Sequence, residues 1–239
     1  LDATLPDAHT SMAFVKHKLE RDWAGAEKEF RRAIELDPEY VWAHHWYGLF
    51  LATMGRHQES FTEIKRALEI DPTSAQLNMI HGMALYLARY YERAVEELER
   101  AVEIEPQHVL ATFYLGIAHV ELGHFEEALA FVERSVQLAG GAGFFVQGIG
   151  YVHASAGRKD LAQGVLTRLD QIADKTYISP FFTALIHFRL GDSDRGFASM
   201  DKAMEDGDHW VEFIKVHPAF DGVRTDPRYA ALVEKLRLE

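Results

Sequence analysis

Small and helix-breaking residues recur along this chain at a fixed step of thirty-four residues. The step holds in three registers that differ in residue type and in phase, so coincidence does not explain it. A chain with such a period is built from repeated units of that length, each of them one supersecondary element. The registers comprise Gly48, Gly82, Gly116 and Gly150; Pro38, Pro72 and Pro106; and Ala26, Ser60, Ala94, Ala128 and Ala162.

Each unit is predicted to contain two helices. In the unit 41–74, apolar residues follow helical spacing on both sides of Gly55. Gly55 can adopt the left-handed backbone that ends a first helix, and Pro72 cannot extend a second helix because it lacks a backbone N–H. Gly48 and Ser60 are small enough to let the paired helices approach closely. One pair cannot bury its apolar faces alone, so neighbouring pairs must stack into a solenoid.

The blocks 23–38 and 91–106 resemble the tetratricopeptide repeat (TPR) family in their small, aromatic and proline positions. Ala26 and Pro38 in the first block correspond to Ala94 and Pro106 in the second. The resemblance extends over nearly the whole chain. It implies an all-α fold, a right-handed α-solenoid of stacked helix-turn-helix repeats with capping helices at the C-terminal end.

A narrower similarity concerns the stretches 43–47 and 218–228. Both look like the TPR arms at the C-terminal end of bacterial multidomain signalling proteins. In those proteins the arm follows a winged-helix DNA-binding domain, a Ser/Thr kinase or a nucleotide cyclase. The similarity implies a sensing or docking arm, and because Leu1 and Asp2 resemble the end of an earlier helix, we expect the chain to start inside a larger protein.

The period divides the chain into repeats and a tail within a single solenoid domain. After Ala203 the pattern changes: Trp210 and Phe213 suggest a short amphipathic helix, Pro218 stops it, and Pro227 begins another. We expect this tail to cap the solenoid, since repeat arrays need a terminal element with a polar outer face. The predicted boundaries are about 6–40, 41–74, 75–108, 109–142, 143–176 and 177–207 for six repeats, and 208–239 for the tail.

Some positions depart from the pattern. Arg89 stands where the other repeats have a turn glycine, and Gly140 stands where a terminal proline is expected. We therefore expect altered turns or looser packing in repeats three and five. Ala13 lies thirty-five residues before Gly48, so the first repeat should carry one extra residue in its turn at 19–22.

Composition excludes several functions. The net charge of −12 argues against nucleic acid, because phosphates attract clustered Lys and Arg. Zero cysteines exclude disulfides, thiolate catalysis and cysteine-based zinc sites. No targeting sequence is visible, and no apolar run reaches the ~18 residues of a membrane span. We expect a cytoplasmic protein that does not contact membrane, or an extracytoplasmic one if the parent protein has an upstream membrane segment.

The predicted binding surface is the concave groove lined by the first helix of each repeat. Its exposed rows, traced by i, i+4, i+7 spacing, are apolar and aromatic and lack the Lys, Arg and Asn of TPR carboxylate clamps. Methionine and aromatic side chains suit an amphipathic or extended apolar segment. Two alternatives are that these residues pack between adjacent helices and that another part of the parent protein fills the groove. The predicted partner-binding residues are Trp42, His45, Leu49, Met79, Met83, Tyr86, Phe113, Ile117 and Tyr151.

No catalytic, cofactor or metal site is predicted. His119, His153 and His187 recur at the repeat step, but stacked helices lie ~8–10 Å apart, too far for one ion to bind all three. The glycine-rich stretch 141–150 lacks the spacing of a dinucleotide loop. We therefore expect no enzyme and no cofactor.

The sequence supports two functions. The first is a protein or peptide interaction module, a scaffold or docking domain with an apolar groove. The alternative is a ligand-sensing regulatory arm that changes curvature when a peptide or small molecule enters the groove and so regulates an upstream domain, which it could also contact.

Overall fold

The structure, a computed structural model, describes residues 4–173 and 176–238, and in these residues it contains helices and turns but no strand. The prediction of an all-α solenoid is confirmed. A π-helix at Lys16–Glu20 and 3₁₀-helices at His209–Lys215 and Pro218–Val223 accompany the α-helices. The α-helices are α1 Pro6–Val15, α2 Trp23–Leu36, α3 Val41–Thr53, α4 His57–Ile70, α5 Ala75–Leu87, α6 Tyr91–Ile104, α7 Val109–Glu121, α8 Phe125–Leu138, α9 Gly143–Ser155, α10 Lys159–Ile172, α11 Pro180–Arg189, α12 Ser193–Glu205 and α13 Pro227–Lys235.

Consecutive helices pack in pairs, from α1 with α2 to α11 with α12. The odd-numbered helices also contact one another in sequence, from α1 with α3 to α9 with α11. The odd-numbered helices from α1 to α11 form the inner layer, while the even-numbered helices from α2 to α12 form the outer layer. The even-numbered helices carry charged outer faces, so the inner layer holds most of the buried apolar residues.

The glycine register marks the closest approach within each pair. A Cβ added at Gly82 in α5 would lie 2.5 Å from Leu98 Cγ and 3.1 Å from the Ala94 carbonyl oxygen in α6. Gly48 approaches Ile64 in the same way, at 2.5 Å from a built Cβ to Ile64 Cγ1. The small residues of the repeat therefore set the distance between paired helices.

The turn of the third repeat corrects one prediction. Arg89 has φ +71°, close to the +78° of Gly55 and the +77° of Gly123. Its backbone N–H donates to the Tyr86 carbonyl, as the N–H of Gly55 donates to Ala52. The expected altered turn is wrong, because the Arg89 guanidinium donates to the carbonyls of Leu87 in the same turn and Val216 in the C-terminal region, which stabilise the left-handed conformation.

The extra residue of the first repeat lies in a π-helix that begins before the predicted turn 19–22 and ends within it. Lys16–Glu20 forms a π-helix at the end of α1, and Arg21 then adopts the left-handed conformation at φ +54°. A π-helix fits one more residue into a turn and rotates the side chains that follow it. This rotation buries His17 and leaves Leu19 exposed.

The predicted tail folds back along the inner layer; we call residues 208–238 the C-terminal segment. At the last repeat, Arg228 Nη1 donates to Asp194 Oδ1 at 2.8 Å, and its guanidinium lies 4.4 Å from the centre of the Phe197 ring. At the first repeat, Trp23 Nε1 donates to the Leu236 carbonyl at 3.0 Å. The C-terminal segment thus covers the last repeat and also bridges it to the first.

Gly82 and Gly164 form a matched pair of helical glycines. Gly82→Ala should lower the free energy of unfolding by ~1–3 kcal/mol, because its methyl group overlaps Leu98. Gly164→Ala in α10 should raise it by about 0.5–1 kcal/mol, since no atom lies within 4 Å of a built Cβ and alanine favours the helix. Urea unfolding followed by circular dichroism measures both; equal effects of the two substitutions would contradict the assigned register.

His45 predicts a pH dependence of stability. The side chain is fully buried, neither ring nitrogen has a hydrogen-bond partner among the described residues, and burial lowers its pKa from 6.5 to about 4. The folded state thus favours neutral His45, so its contribution is complete above pH 6.5 and is lost as pH falls towards 4. Protonation of His45 should lower the free energy of unfolding by about 2 kcal/mol between pH 7.5 and pH 5.

The comparison variant is His45→Phe, which keeps an aromatic ring against Trp42 and Trp46. Urea unfolding at both pH values should show a smaller loss of stability for His45→Phe than for the wild type. The exposed Gln163 of α10, which carries no titratable group, is changed to Ala as the control and should leave the loss unchanged. If all three proteins lose the same free energy of unfolding between the two pH values, then protonating the buried His45 carries no free-energy penalty.

Candidate functional site

The C-terminal segment covers most of the groove that the sequence predicted as a binding surface. Trp42 remains 47% exposed, at the edge of the inner layer. The other predicted partner-binding residues are buried, and they belong to two groups. Leu49, Met79 and Met83 lie at the floor of a pocket, whereas His45, Tyr86, Phe113, Ile117 and Tyr151 lie within the inner layer or beneath the C-terminal segment.

Aromatic contacts hold the C-terminal segment in the groove. The ring of His217 lies 5.8 Å from that of Tyr86 and 5.9 Å from that of Tyr151, edge-on to both. Trp210 stacks on Phe144, with ring centres 5.5 Å apart and planes 29° apart. Offset and edge-to-face arrangements of this kind add to the free energy of burial.

A buried charge cluster connects the C-terminal segment to the π-helix. Glu212 is only 2% exposed; one carboxylate oxygen accepts from Lys18 Nζ and the other lies 2.9 Å from His17 Nε2. Burial alone would raise the pKa of Glu212, but Lys18 and His17 outweigh it and lower the pKa to about 2. Burial lowers the pKa of His17, an effect that Glu212 only partly opposes. At neutral pH the cluster therefore contains one ion pair, between Lys18 and Glu212.

A second polar cluster lies beneath the C-terminal segment. The Tyr151 hydroxyl donates to Glu121 Oε1 at 2.8 Å and accepts from Arg189 Nε at 3.0 Å. Burial raises the pKa of Tyr151 and, with Arg189 nearby, lowers that of His217 well below its usual value. Tyr151, Glu121 and Arg189 are paired with one another, and Tyr151 and His217 are buried while Arg189 remains partly exposed. Their geometry is that of a structural network.

One concavity of the inner layer stays open, and we call it the open pocket. It has a volume of about 400 Å³ and continues under Trp210 and Phe213 into an inner cavity of about 30 Å³. Leu19 is 76% exposed at its rim and Phe14 is 38% exposed. The lining comprises Phe14, Lys18, Leu19, Trp46, Leu49, Gln76, Met79, Ile80, Met83, Leu110, Tyr114, Gly207, His209, Trp210 and Phe213.

A shallower cleft of about 530 Å³ adjoins the open pocket and shares Phe14 and Trp46 with it. Trp42 lines this cleft together with Tyr40 and Asp7. The predicted residue Trp42 is therefore close to the open pocket, although it does not line it. Together they make an apolar surface at the N-terminal end of the inner layer.

Sequence analysis did not select Leu19, Trp46 or the residues of the C-terminal segment as parts of this surface. Trp46 lies outside the i, i+4, i+7 row traced through α3. The signal for Leu19 was present in the thirty-five-residue step of the first repeat, because the extra residue produces the π-helix that exposes it. Residues of the C-terminal segment carried no such signal, since they lie outside the repeat.

Three further findings concern the described part of the chain. No group of three or more His, Asp or Glu side chains is placed to hold a metal ion there. His119 Nδ1 and His124 Nδ1 approach to 3.3 Å as a pair of neighbouring rings at one turn. Across residues 4–173 and 176–238, no helix combines the length and the apolar character needed to cross a membrane.

Comparison with known structures places the fold among helical repeat proteins. The chain is similar to PilW, a widely conserved type IV pilus biogenesis factor, with 18% identity, coverage of 88% of this chain and 97% of that one, and a TM-score of 0.63. A tetratricopeptide repeat protein from Parabacteroides merdae is 15% identical over 97% of this chain and 92% of its own, with a TM-score of 0.59. YrrB, described as a TPR protein with an unusual peptide-binding site, is 19% identical over 73% and 89%, with a TM-score of 0.50.

The sequence itself was compared with curated proteins and with protein families. No curated protein matches it. The family model of the tetratricopeptide repeat matches residues 20–75 and 81–143. These ranges contain Gly48, Gly82 and Gly116 of the glycine register, and the same helix pairing continues through α12. The chain belongs to the tetratricopeptide repeat family.

Proposed function

We propose that this chain is a protein or peptide interaction module that binds its partner at the open pocket and the adjoining cleft. The observation that carries the proposal is an apolar, aromatic concavity left open on the inner layer of a TPR array. TPR-fold proteins are generally non-enzymatic interaction modules, and a fold neighbour, YrrB, is described as having a peptide-binding site. We propose no catalytic activity for this chain.

The free energy of burying the C-terminal segment favours the open pocket as a binding site over the part of the groove that the segment covers. Val211, Phe213, Ile214, Val216 and Phe220 are all buried. At ~1.5–3 kcal/mol for each apolar side chain, their burial stabilises the protein by about 10 kcal/mol, within the range of the whole stability of a domain. A partner that expelled the segment would have to replace this apolar burial. A partner in the open pocket needs no such displacement.

The predicted partner-binding residues take different roles in this proposal. Leu49, Met79 and Met83 form the floor on which a partner side chain would rest, and Trp42 extends the contact into the cleft. Leu19 and Phe14 form the rim. The remaining predicted residues support the surface from within: His45, Tyr86, Phe113, Ile117 and Tyr151.

The alternative, an arm that changes curvature on ligand binding, has less support. The C-terminal segment contacts Trp23 in the first repeat and Asp194 in the last, so a change in curvature would have to break one of these contacts. The similarity of 218–228 to arms of bacterial regulators keeps an upstream effector domain, and a contact with it, as a prediction. A cytoplasmic location is likewise a prediction.

Leu19→Glu tests the proposed surface. The change places a charge on the exposed rim, so it should remove apolar contact with a partner while leaving the folded chain intact. Pull-down from the source cell extract should recover partners with the wild type and lose them with Leu19→Glu. Because apolar burial is not screened by ions, the wild-type partners should survive a high-salt wash.

The matched control is Leu161→Glu. Leu161 lies on α10 in the outer layer and is 54% exposed, so it receives the same change at a distant site. This variant should retain all partners. If Leu19→Glu and Leu161→Glu recover identical partners, or if the wild-type partners wash off in salt, the open pocket is not the binding surface.

A further inference from the structure

The C-terminal segment indicates which side chains this groove accepts. The segment fills the groove next to the open pocket with Trp210 and Phe213, and the same two rings form one wall of that pocket. The pocket is therefore a continuation of an interface that already exists within the chain. A partner segment lying there would rest on the end of the C-terminal segment and meet the same kind of surface.

The size and lining of the open pocket suit a large apolar anchor. Its volume of about 400 Å³ lies within the ~300–1,000 Å³ of ordinary ligand sites. Phe14 and Trp46 stand edge-to-face in one wall, with ring centres 5.1 Å apart. Met79 and Met83 line the floor, and their flexible side chains can adapt to an aromatic or a branched anchor.

The pocket has no free cation to receive an acidic anchor. Lys18 is its one Lys or Arg lining residue, and the ammonium group is already bonded to Glu212. Both carboxylate oxygens of the buried Glu212 are already engaged, one by Lys18 and the other by His17 at 2.9 Å. A second carboxylate beside them would lose its hydration without gaining a partner, which is unfavourable.

The surroundings of the pocket favour basic residues in the partner. Glu20 follows the rim residue Leu19, and Glu205 and Asp206 precede Gly207 in the lining; all three carboxylates are exposed and form no ion pair among the described residues. Arg21 and Lys202 lie close to these carboxylates in the sequence, so the local excess of acid is modest. The net charge of −12 extends the attraction beyond the pocket, and such a field speeds the approach of basic segments.

From these observations we propose that the open pocket binds a basic segment of a partner protein through one or two large apolar or aromatic side chains. The inference rests on the proposed interaction function and specifies the chemistry of the partner. The anchor enters between Leu19 and Trp46, and the basic residues beside it face Glu20 and Asp206. Acidic segments are rejected because Lys18 is already paired.

Selection of phage-displayed random peptides on the full chain tests this proposal without assuming a partner. The selected peptides should share a Trp, Phe or Leu with neighbouring Lys or Arg, and should be depleted in Asp and Glu. One selected peptide is then synthesised with a fluorescent label, and its affinity is measured by anisotropy for the wild type, Leu19→Ser and Leu161→Ser. Leu19→Ser should weaken binding at least about tenfold, and Leu161→Ser should leave it unchanged.

Two further peptides separate the contributions of anchor and charge. Replacing the anchor by Ser should abolish binding, and replacing the flanking Lys and Arg by Glu should weaken it by a smaller factor than loss of the anchor does, because the charges are exposed and screened by salt. The proposal is overturned if selection yields acidic peptides, if the anchorless peptide binds equally well, or if Leu19→Ser binds like the wild type. If the pull-down still recovers partners that are lost with Leu19→Glu, any of these results refutes only the proposed partner chemistry, and the interaction function is still supported.

Discussion

An apolar inner layer cannot remain fully open to water, and this constraint governs the arrangement of the whole chain. Pairing at small residues such as Gly82 and stacking of the pairs create one continuous inner face rich in Leu, Met, Tyr and Phe. Contiguous exposed apolar patches of this extent are uncommon on monomers. The C-terminal segment covers most of that face, and the part it leaves uncovered is the open pocket, lined by residues of the first four repeats and of the segment itself.

The charge cluster at Glu212 fixes where the covered part ends. Glu212 lies in the first 3₁₀-helix of the C-terminal segment, and its partners Lys18 and His17 lie in the π-helix of the first repeat. A buried carboxylate without those partners would be strongly unfavourable, so the contact specifies one position of the segment in the groove. The same π-helix exposes Leu19. One inserted residue therefore contributes to both the closed and the open part of the inner layer.

The local features of the fold could be predicted from sequence, whereas the long-range ones could not. The thirty-four-residue step predicted the helix pairs and the contact at Gly82, because both depend on residues within one repeat. It predicted an altered turn at Arg89, which is wrong because Val216 and Asp221 stabilise that turn from outside the repeat. The burial of Tyr86 and Tyr151 likewise depends on His217, for which the period provides no register.

Hydrogen exchange of the C-terminal segment tests the central claim most directly. The amides of Val216, His217 and Phe220 donate to carbonyls within the segment, at Phe213 and His217. If the segment is a permanent part of the core, these amides should exchange only through global unfolding, with the same free energy and urea dependence as the amides of α5. Exchange of the segment at a clearly lower free energy, with α5 still protected, would mean that it opens separately and that the whole groove becomes available to partners.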